Sequence, residues 1–351
     1  MKKLVIVTGS GRSGTSSVAG TLKRFGFKIP QPEVETDERN PRGYYEPLWV
    51  AEFHKHWLNS ISVRTIDSRP HAGEVAMADV TPEREEELRS WLAEELGRYA
   101  DGEVVVVKET RAYWVYPLWQ RVAAATSAHL VSLTMLRHPT QVVRSRDSAY
   151  LTGRPDELRT MRETTNVAAW MNSVFVTERA TRDNPRAFVP YYDLISDWRA
   201  AMTRACEQID VDPGDLTAPH PVDDFITSSL NRSSDAWDGL AVPADLRELA
   251  EQTWTAANVL VEKPFDEAAM AELDRLAAEY AELYTVAAAI ASDDAAAQVL
   301  ELRTELEARL AVKNERIEKL RTDLDTRMER KNAKLKQLRA ELRTLRAERE
   351  S

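Results

Sequence analysis

The chain is 351 residues long, 43% hydrophobic and 30% charged, which is apolar enough to bury a core and excludes wholesale disorder. Its net charge is −10, and an acidic body excludes bulk nucleic-acid binding, which needs a basic surface. A single cysteine, Cys206, excludes an intramolecular disulfide framework and a cysteine-built metal site.

No apolar run is long enough to span a bilayer. The N-terminal run Leu4–Val7 is too short for a signal-peptide core, so a cytoplasmic protein is the expectation. The charge is unevenly spread: residues 299–351 carry a net +4 and the rest a net −14. A site for an anionic ligand must therefore be a local pocket.

In chain order, Lys3–Thr8 (KLVIVT) reads as a buried strand followed by a glycine-rich turn. Gly14–Phe25 reads as a helix that Gly26 stops. Residues 30–47 hold four prolines and read as a loop. Pro82–Tyr99 reads as an acidic amphipathic helix, and Glu103–Val107 as a second strand. Tyr113–Ala125 is a predicted helix and His129–Leu136 a third strand. Helices are predicted at Gln141–Tyr150 and Glu157–Arg182, a strand at Ala187–Pro190, and a helix at Ser196–Ile209. Residues 211–243 read as a loop or lid, followed by helices near 243–261 and 265–291. Strands separated by helices predict βαβ crossovers, hence an α/β fold with a mainly parallel sheet and flanking helices. The predicted division is an α/β domain over 1–292 and a coiled-coil helix over 296–351.

In that last segment glycine, proline and aromatic residues vanish. Apolar residues from Val299 to Leu345 recur mostly at steps of three and four, which is coiled-coil spacing. Leu320, Leu324 and Met328 form a stutter, and Lys313 and Lys331 occupy seam positions. The bland alternative is a solvated single helix. An apolar seam of this length favours self-association, with pairing to a different chain equally compatible.

The turn Gly9-Ser10-Gly11-Arg12-Ser13-Gly14-Thr15-Ser16 lies between a strand and a helix. Glycines there let N–H groups converge on an anion, and a helix N-terminus adds positive potential. The nucleoside-triphosphate loop G-x-x-x-x-G-K-[ST] is matched at Gly9, Gly14 and Ser16, but Thr15 replaces its lysine. That departure points to an anion with fewer phosphates. A dinucleotide turn also matches Gly9, Gly11 and Gly14, but no acidic residue closes a second strand about twenty residues on. An ordinary tight turn is the remaining alternative.

A second cluster follows the third strand. Arg137 sits at its carboxyl end, Pro139 opens the next helix, and Ser145 lies two turns in. An Arg and a Ser on one phosphate give a bidentate charge pair plus a hydroxyl donor, although a strand-end Arg is as commonly a salt-bridge partner. No aspartate closes the strand where a Mg²⁺-positioning carboxylate belongs.

Together these residues resemble a sulfotransferase that uses 3′-phosphoadenosine-5′-phosphosulfate (PAPS). The family loop [KR]-S-G-T-[ST] is matched by Arg12-Ser13-Gly14-Thr15-Ser16. The later arginine with a serine eight residues on is matched by Arg137 and Ser145, and a strand-end lysine by Lys108 in Lys108-Glu109-Thr110-Arg111. Asn40–Glu46 (NPRGYYE) and Tyr191–Asp197 (YYDLISD) resemble further segments of bacterial members. The resemblance covers roughly residues 1–290 and leaves the C-terminal helix unexplained.

It implies a sulfotransferase-like fold and transfer of a sulfuryl group from PAPS to an acceptor hydroxyl, leaving adenosine 3′,5′-bisphosphate (PAP). By resemblance, Arg12 and the amides of the Gly11–Ser16 turn hold the 5′-phosphosulfate, Arg137 and Ser145 the 3′-phosphate, and Tyr191 the adenine. Arg232 is a candidate late phosphate contact. Arg12 and Lys108 are the candidates to hold charge on the transferring group.

Glu46 is the first candidate base, Glu109 the second, and His54 and His56, beside a predicted helix, the third. Side chains alternate along a strand, which turns Glu109 away from Lys108. A carboxylate near Lys108 titrates low unless burial offsets the lysine. No metal-ligand spacing is present in the sequence, and none is required. The expected acceptor is a carbohydrate, a glycolipid or a small molecule. The rival readings are a P-loop kinase or nucleotide hydrolase, and a PAP-binding coiled-coil adaptor without catalysis.

Overall fold

The computed structural model describes residues 2–38, 40–150, 158–227 and 235–350. Four strands form one all-parallel sheet: β1 (Lys3–Gly9), β2 (Val104–Lys108), β3 (His129–Leu136) and β4 (Arg186–Pro190), in the order β2-β1-β3-β4. Helices fill the crossovers, as parallel strands require. They are α1 (Thr15–Arg24), α2 (Leu48–Ser60), α3 (Ala72–Ala78), α4 (Pro82–Gly97), α5 (Tyr116–Ala125), α6 (Pro139–Tyr150) and α7 (Arg159–Ala180). After β4 come α8 (Tyr191–Ser196), α9 (Trp198–Gln208), α10 (Val222–Phe225), α11 (Ala244–Glu262), α12 (Glu267–Ile290) and α13 (Ser292–Glu350).

The apolar run in β1 is buried on both faces, and its period of two divides it between two cores. Val5 and Val7 face a core with Val18 and Leu22 of α1 and Met202 and Cys206 of α9. Leu4 and Ile6 face a second core with Leu88 and Leu92 of α4 and Leu118 and Trp119 of α5. A third core packs α7, α11 and α12 around Trp170, Phe175 and Phe188. Trp57, Tyr113, Trp114, Tyr116 and Trp119 are all buried core residues.

The register sets the site. Val7 pairs with Lys108, Gly9 with Met135, and Leu136 with Pro190. The glycine turn, Lys108, Arg137 and Tyr191 therefore leave the carboxyl ends of neighbouring strands on one edge of the sheet. That edge is where parallel sheets place ligands.

Some elements differ from the sequence expectation. The helix expected over Tyr113–Ala125 begins with a 3₁₀ turn, Ala112–Val115, because Pro117 can enter only the first turn of the α-helix that follows. The helix expected over Ser196–Ile209 is α9, which starts at Trp198 because the Asp197 carboxylate caps it by accepting from the Ala200 N–H at 3.0 Å; the short helix α8 before it was not expected. His54 and His56 lie within α2 rather than beside a helix.

The chain divides into two compact units, Met1–Tyr284 and Thr285–Ser351, and the division falls inside α12. The second unit is dominated by the long helix α13, whose apolar residues, Leu306, Leu324 and Leu342 among them, are exposed.

Candidate functional site

Two glycines shape the turn after β1. Gly9 has φ +138°, and a Cβ there would lie 2.7 Å from the Met135 carbonyl oxygen of β3, so only glycine lets the strands run this close. Gly14 has φ +101°, and a Cβ there would lie 2.3 Å from the Tyr191 ring. Between them Arg12 adopts φ +76° without being a glycine. Such a conformation costs about 1–3 kcal/mol and survives where surrounding contacts hold it. Those contacts are present: the Arg137 guanidinium donates from Nη1 to the Arg12 carbonyl at 3.0 Å, and Arg12 Nε donates to Ser145 Oγ at 3.1 Å.

These two bonds join the glycine turn to the cluster after β3. The glycine turn and the Arg137–Ser145 cluster adjoin, stitched through Arg12. Arg137 also donates from Nε to Gln141 Oε1 at 2.9 Å, and its guanidinium lies 4.2 Å from the Tyr191 ring centroid. Burial pushes the Arg137 guanidinium below its ordinary range; the Tyr191 hydroxyl opposes that shift and Arg12 adds to it. Gln141 in turn donates to Asp235. Tyr191 thus meets Gly14 and Arg137, a packing role the resemblance does not supply.

α1 begins at Thr15, directly behind the turn, and no side chain caps it. The first-turn N–H groups of a helix have no partner within it, and Thr15 and Ser16 both line the cavity. Ser13 does not. Its Oγ is buried without a hydrogen-bond partner among the described residues, and its N–H donates to the Ser10 carbonyl at 3.0 Å. Ser13 therefore shapes the turn from below, while Thr15, Ser16, Ser17 and Ser145 are among the hydroxyl residues that line the cavity.

At the end of β2, Lys108 Nζ donates to Glu46 Oε1 from the loop before α2. Both line the cavity. Burial lifts the Glu46 carboxyl above the usual carboxylate range; the Lys108 charge pulls the other way and loses, and Glu109 adds to the rise. The condition set by the sequence, that burial must offset the lysine, is met.

Glu109 points elsewhere, as the strand alternation requires. It is fully buried and does not line the cavity. Its carboxylate accepts from Arg111 Nε at 2.7 Å, Arg111 Nη2 at 2.9 Å and the Arg111 N–H at 2.9 Å. Burial alone would lower the Arg111 guanidinium, but Glu109 outweighs it and holds it up. Glu109 is therefore set aside as a base: it has no path to a ligand, and its oxygens position Arg111, which does line the cavity.

The histidines are set aside as well. His54 is fully buried among Phe53, Trp57 and Trp119, with both ring nitrogens unpartnered among the described residues, and burial pushes it down to about 3, with Arg111 adding to the shift. His56 faces a different depression, with Trp49 and Glu87.

The cavity has a volume of about 480 Å³, within the range of small-ligand sites. Six cationic side chains line it: Arg12, Arg42, Lys108, Arg111, Arg137 and Arg146. Among the described residues Glu46 is the one carboxylate in that lining. Arg42, Arg111 and Arg146 were not singled out from the sequence. Arg111 closes the quoted Lys108–Arg111 motif and Arg146 follows Ser145, so adjacency was the available signal. Asn40 was missed as a contact residue too; its side chain donates to Ser16 Oγ at 3.2 Å and to the Gly43 carbonyl at 2.7 Å. That holds the Asn40–Glu46 loop over the turn. Tyr44 and Tyr45 line the cavity from the same loop. Arg232 lies outside the described residues.

Among the described residues no group of three or more His, Cys, Asp or Glu is placed to hold a metal ion, and no helix is long and apolar enough to cross a membrane.

No family model and no curated protein matches this chain. Among solved structures it is similar to the sulfotransferase domain from the Synechococcus PCC 7002 olefin synthase, at 18% identity and a TM-score of 0.38, over 72% of this chain and 94% of that one. It is also similar to the sulfotransferase domain from the curacin biosynthetic pathway, at 13% identity and a TM-score of 0.37, over 80% of this chain and 97% of that one.

Proposed function

We propose that the protein is a transferase that moves a sulfuryl group from PAPS to an acceptor hydroxyl, on a carbohydrate or glycolipid. One observation carries this reading: a single carboxylate, raised in pKa and touching a lysine, set in the wall of a cavity otherwise charged by six cations.

The residues present suit such a donor. The uncapped start of α1 and Arg12 suit its 5′ end. Arg137 and Ser145, one hydrogen bond away from Arg12, suit its 3′-phosphate. A triphosphate suits them less, since Thr15 stands where its lysine belongs. When bound, the donor supplies an activated sulfuryl group whose bond to a phosphate oxygen breaks as a bond to the acceptor oxygen forms.

The chain's own part is acid–base and electrostatic. Glu46 accepts the acceptor hydroxyl's proton and passes it to water after transfer. A carboxylate raised by burial is the better base for it. Lys108 and Arg12 hold the negative charge that builds on the transferring and leaving oxygens. Arg137 fixes the turn through the Arg12 carbonyl, so donor and acceptor meet in one geometry.

The test compares PAP with ATP–Mg²⁺ in thermal shift, then follows ³⁵S from labelled PAPS into acceptors of a cell extract. Stabilisation by PAP over ATP and a labelled product are the expected results. Arg137→Ala weakens PAP binding about 10–100-fold, the cost of losing a charged hydrogen-bond donor. Stabilisation by ATP–Mg²⁺ alone, or PAP binding without transfer to any acceptor, overturns the reading.

A further inference from the structure

α13 leaves its apolar seam in water: Leu306, Leu324 and Leu342 are 57%, 60% and 54% exposed. The seam has a symmetry of its own. Counting outward from Leu324, seam positions fall 4, 7, 11, 14 and 18 residues away in both directions. They pair as Leu320 with Met328, Ile317 with Lys331, Lys313 with Leu335, Leu310 with Leu338, and Leu306 with Leu342. These offsets trace one face of an α-helix. The two consecutive steps of four around Leu324, a stutter in a parallel reading, are the centre of this symmetry.

We propose that α13 pairs with the same helix of a second copy of this chain, antiparallel, about a two-fold axis at Leu324. Such an interface is isologous, so each seam position meets the position at the same offset on the other side. The two lysines discriminate between orientations. In a parallel, in-register pair Lys313 faces Lys313 and Lys331 faces Lys331, two like-charge contacts inside an apolar seam. In the antiparallel pair Lys313 faces Leu335 and Lys331 faces Ile317. Each stem then packs on an aliphatic side chain while the ammonium reaches water. A polar residue at a seam position commonly fixes register in this way.

Net charge favours the same choice. Residues 292–305 carry a net −3 and residues 306–350 a net +5. A parallel pair lays each block on its own copy. The antiparallel pair sets the acidic start across from residues 343–350, which carry a net +1. The matched stretch, 306–342, is about 55 Å of helix at 1.5 Å per residue.

Variants of the full chain with one introduced cysteine test the orientation. Cys206 is buried and its thiol is pushed up to about 12 by burial, so an introduced thiol is the reactive one. Ile317→Cys and Lys331→Cys are each oxidised alone and as a co-expressed pair. In the antiparallel pair two copies of position 317 are about 21 Å apart along the axis, beyond disulfide reach. The expected result is a disulfide-linked dimer only from the co-expressed pair, and twice the chain mass by light scattering for the unmodified protein. Leu324→Glu, which places two carboxylates on the axis, halves that mass. Self-linking of either single variant, absence of the mixed link, or a monomer mass for the unmodified protein overturns the proposal.

Discussion

Lys108 and Glu109 are neighbours in sequence and each forms half of an ion pair, yet the two pairs occupy different surroundings. The Lys108–Glu46 pair stands in the cavity wall, with Glu46 lifted above the usual carboxylate range. The Glu109–Arg111 pair lies one residue on, with Glu109 sealed from solvent and from the cavity and saturated by three donors. The alternation at the end of β2 turns Lys108 to the cavity, where Glu46 of the loop before α2 meets it, and turns Glu109 into the protein. The face of the strand thus decides which carboxylate the cavity can reach.

The largest effect that sharpens this contrast is on turnover. Glu46→Gln is expected to lower the rate of sulfuryl transfer about 10²–10⁴-fold, the usual contribution of a general base, while PAP binding is kept. In the proposed mechanism the ionised form is the working one, so the wild-type rate is expected to rise with pH as the raised Glu46 group loses its proton, and to level off above it. The same raised value means that the fold is favoured by protonation of Glu46, a stabilisation lost as pH climbs through it. Initial rates across pH check both signs; an unchanged rate in Glu46→Gln removes Glu46 from the role of base.

Next comes stability at the sealed pair. Glu109→Ala leaves the Arg111 guanidinium, 13% exposed, without its counter-charge, which costs about 3–5 kcal/mol. Chemical denaturation should show that loss, whereas Glu46→Gln, which keeps an amide oxygen against Lys108, should lose less. Equal destabilisation by the two variants would erase the distinction drawn here.

The smallest effect belongs to His54, deeper still. Its folded value near 3 lies below the unfolded value of 6.5. The unfolded chain therefore takes up a proton that the folded chain refuses, and stability falls as pH drops from about 6.5 toward 3. His54→Phe keeps a ring against Trp119 and removes two unpartnered nitrogens. A gain of about 1–3 kcal/mol at neutral pH and a flatter acid limb in thermal melts are expected; a lower melting temperature would mean that the imidazole makes a bond that matters.

Much of the fold could be read directly because its signals are local. The run Leu4–Val7 ending in glycines, the strand before Arg137 and the absence of glycine and proline after residue 296 each lie within a few residues. The site was legible only in pieces. Arg12, Lys108, Arg137 and Ser145 were identifiable one by one, but nothing in a linear pattern states that Arg12 bonds Ser145 across 133 positions, or that Gln141 and Tyr191 hold Arg137. The choice between Glu46 and Glu109 depended on burial, a property of the assembled core. α2 escaped because it mixes aromatic and polar residues without a clean stripe, and α3 because its seven residues are too few to show a helical period.

The bare α-carbon of Gly14, the Tyr191 ring lying against it and the Arg137 guanidinium beside that ring form a keystone under the turn. No stone moves alone: a larger residue at 14 would displace the tyrosine, and a displaced tyrosine would unseat the arginine that clasps the Arg12 carbonyl.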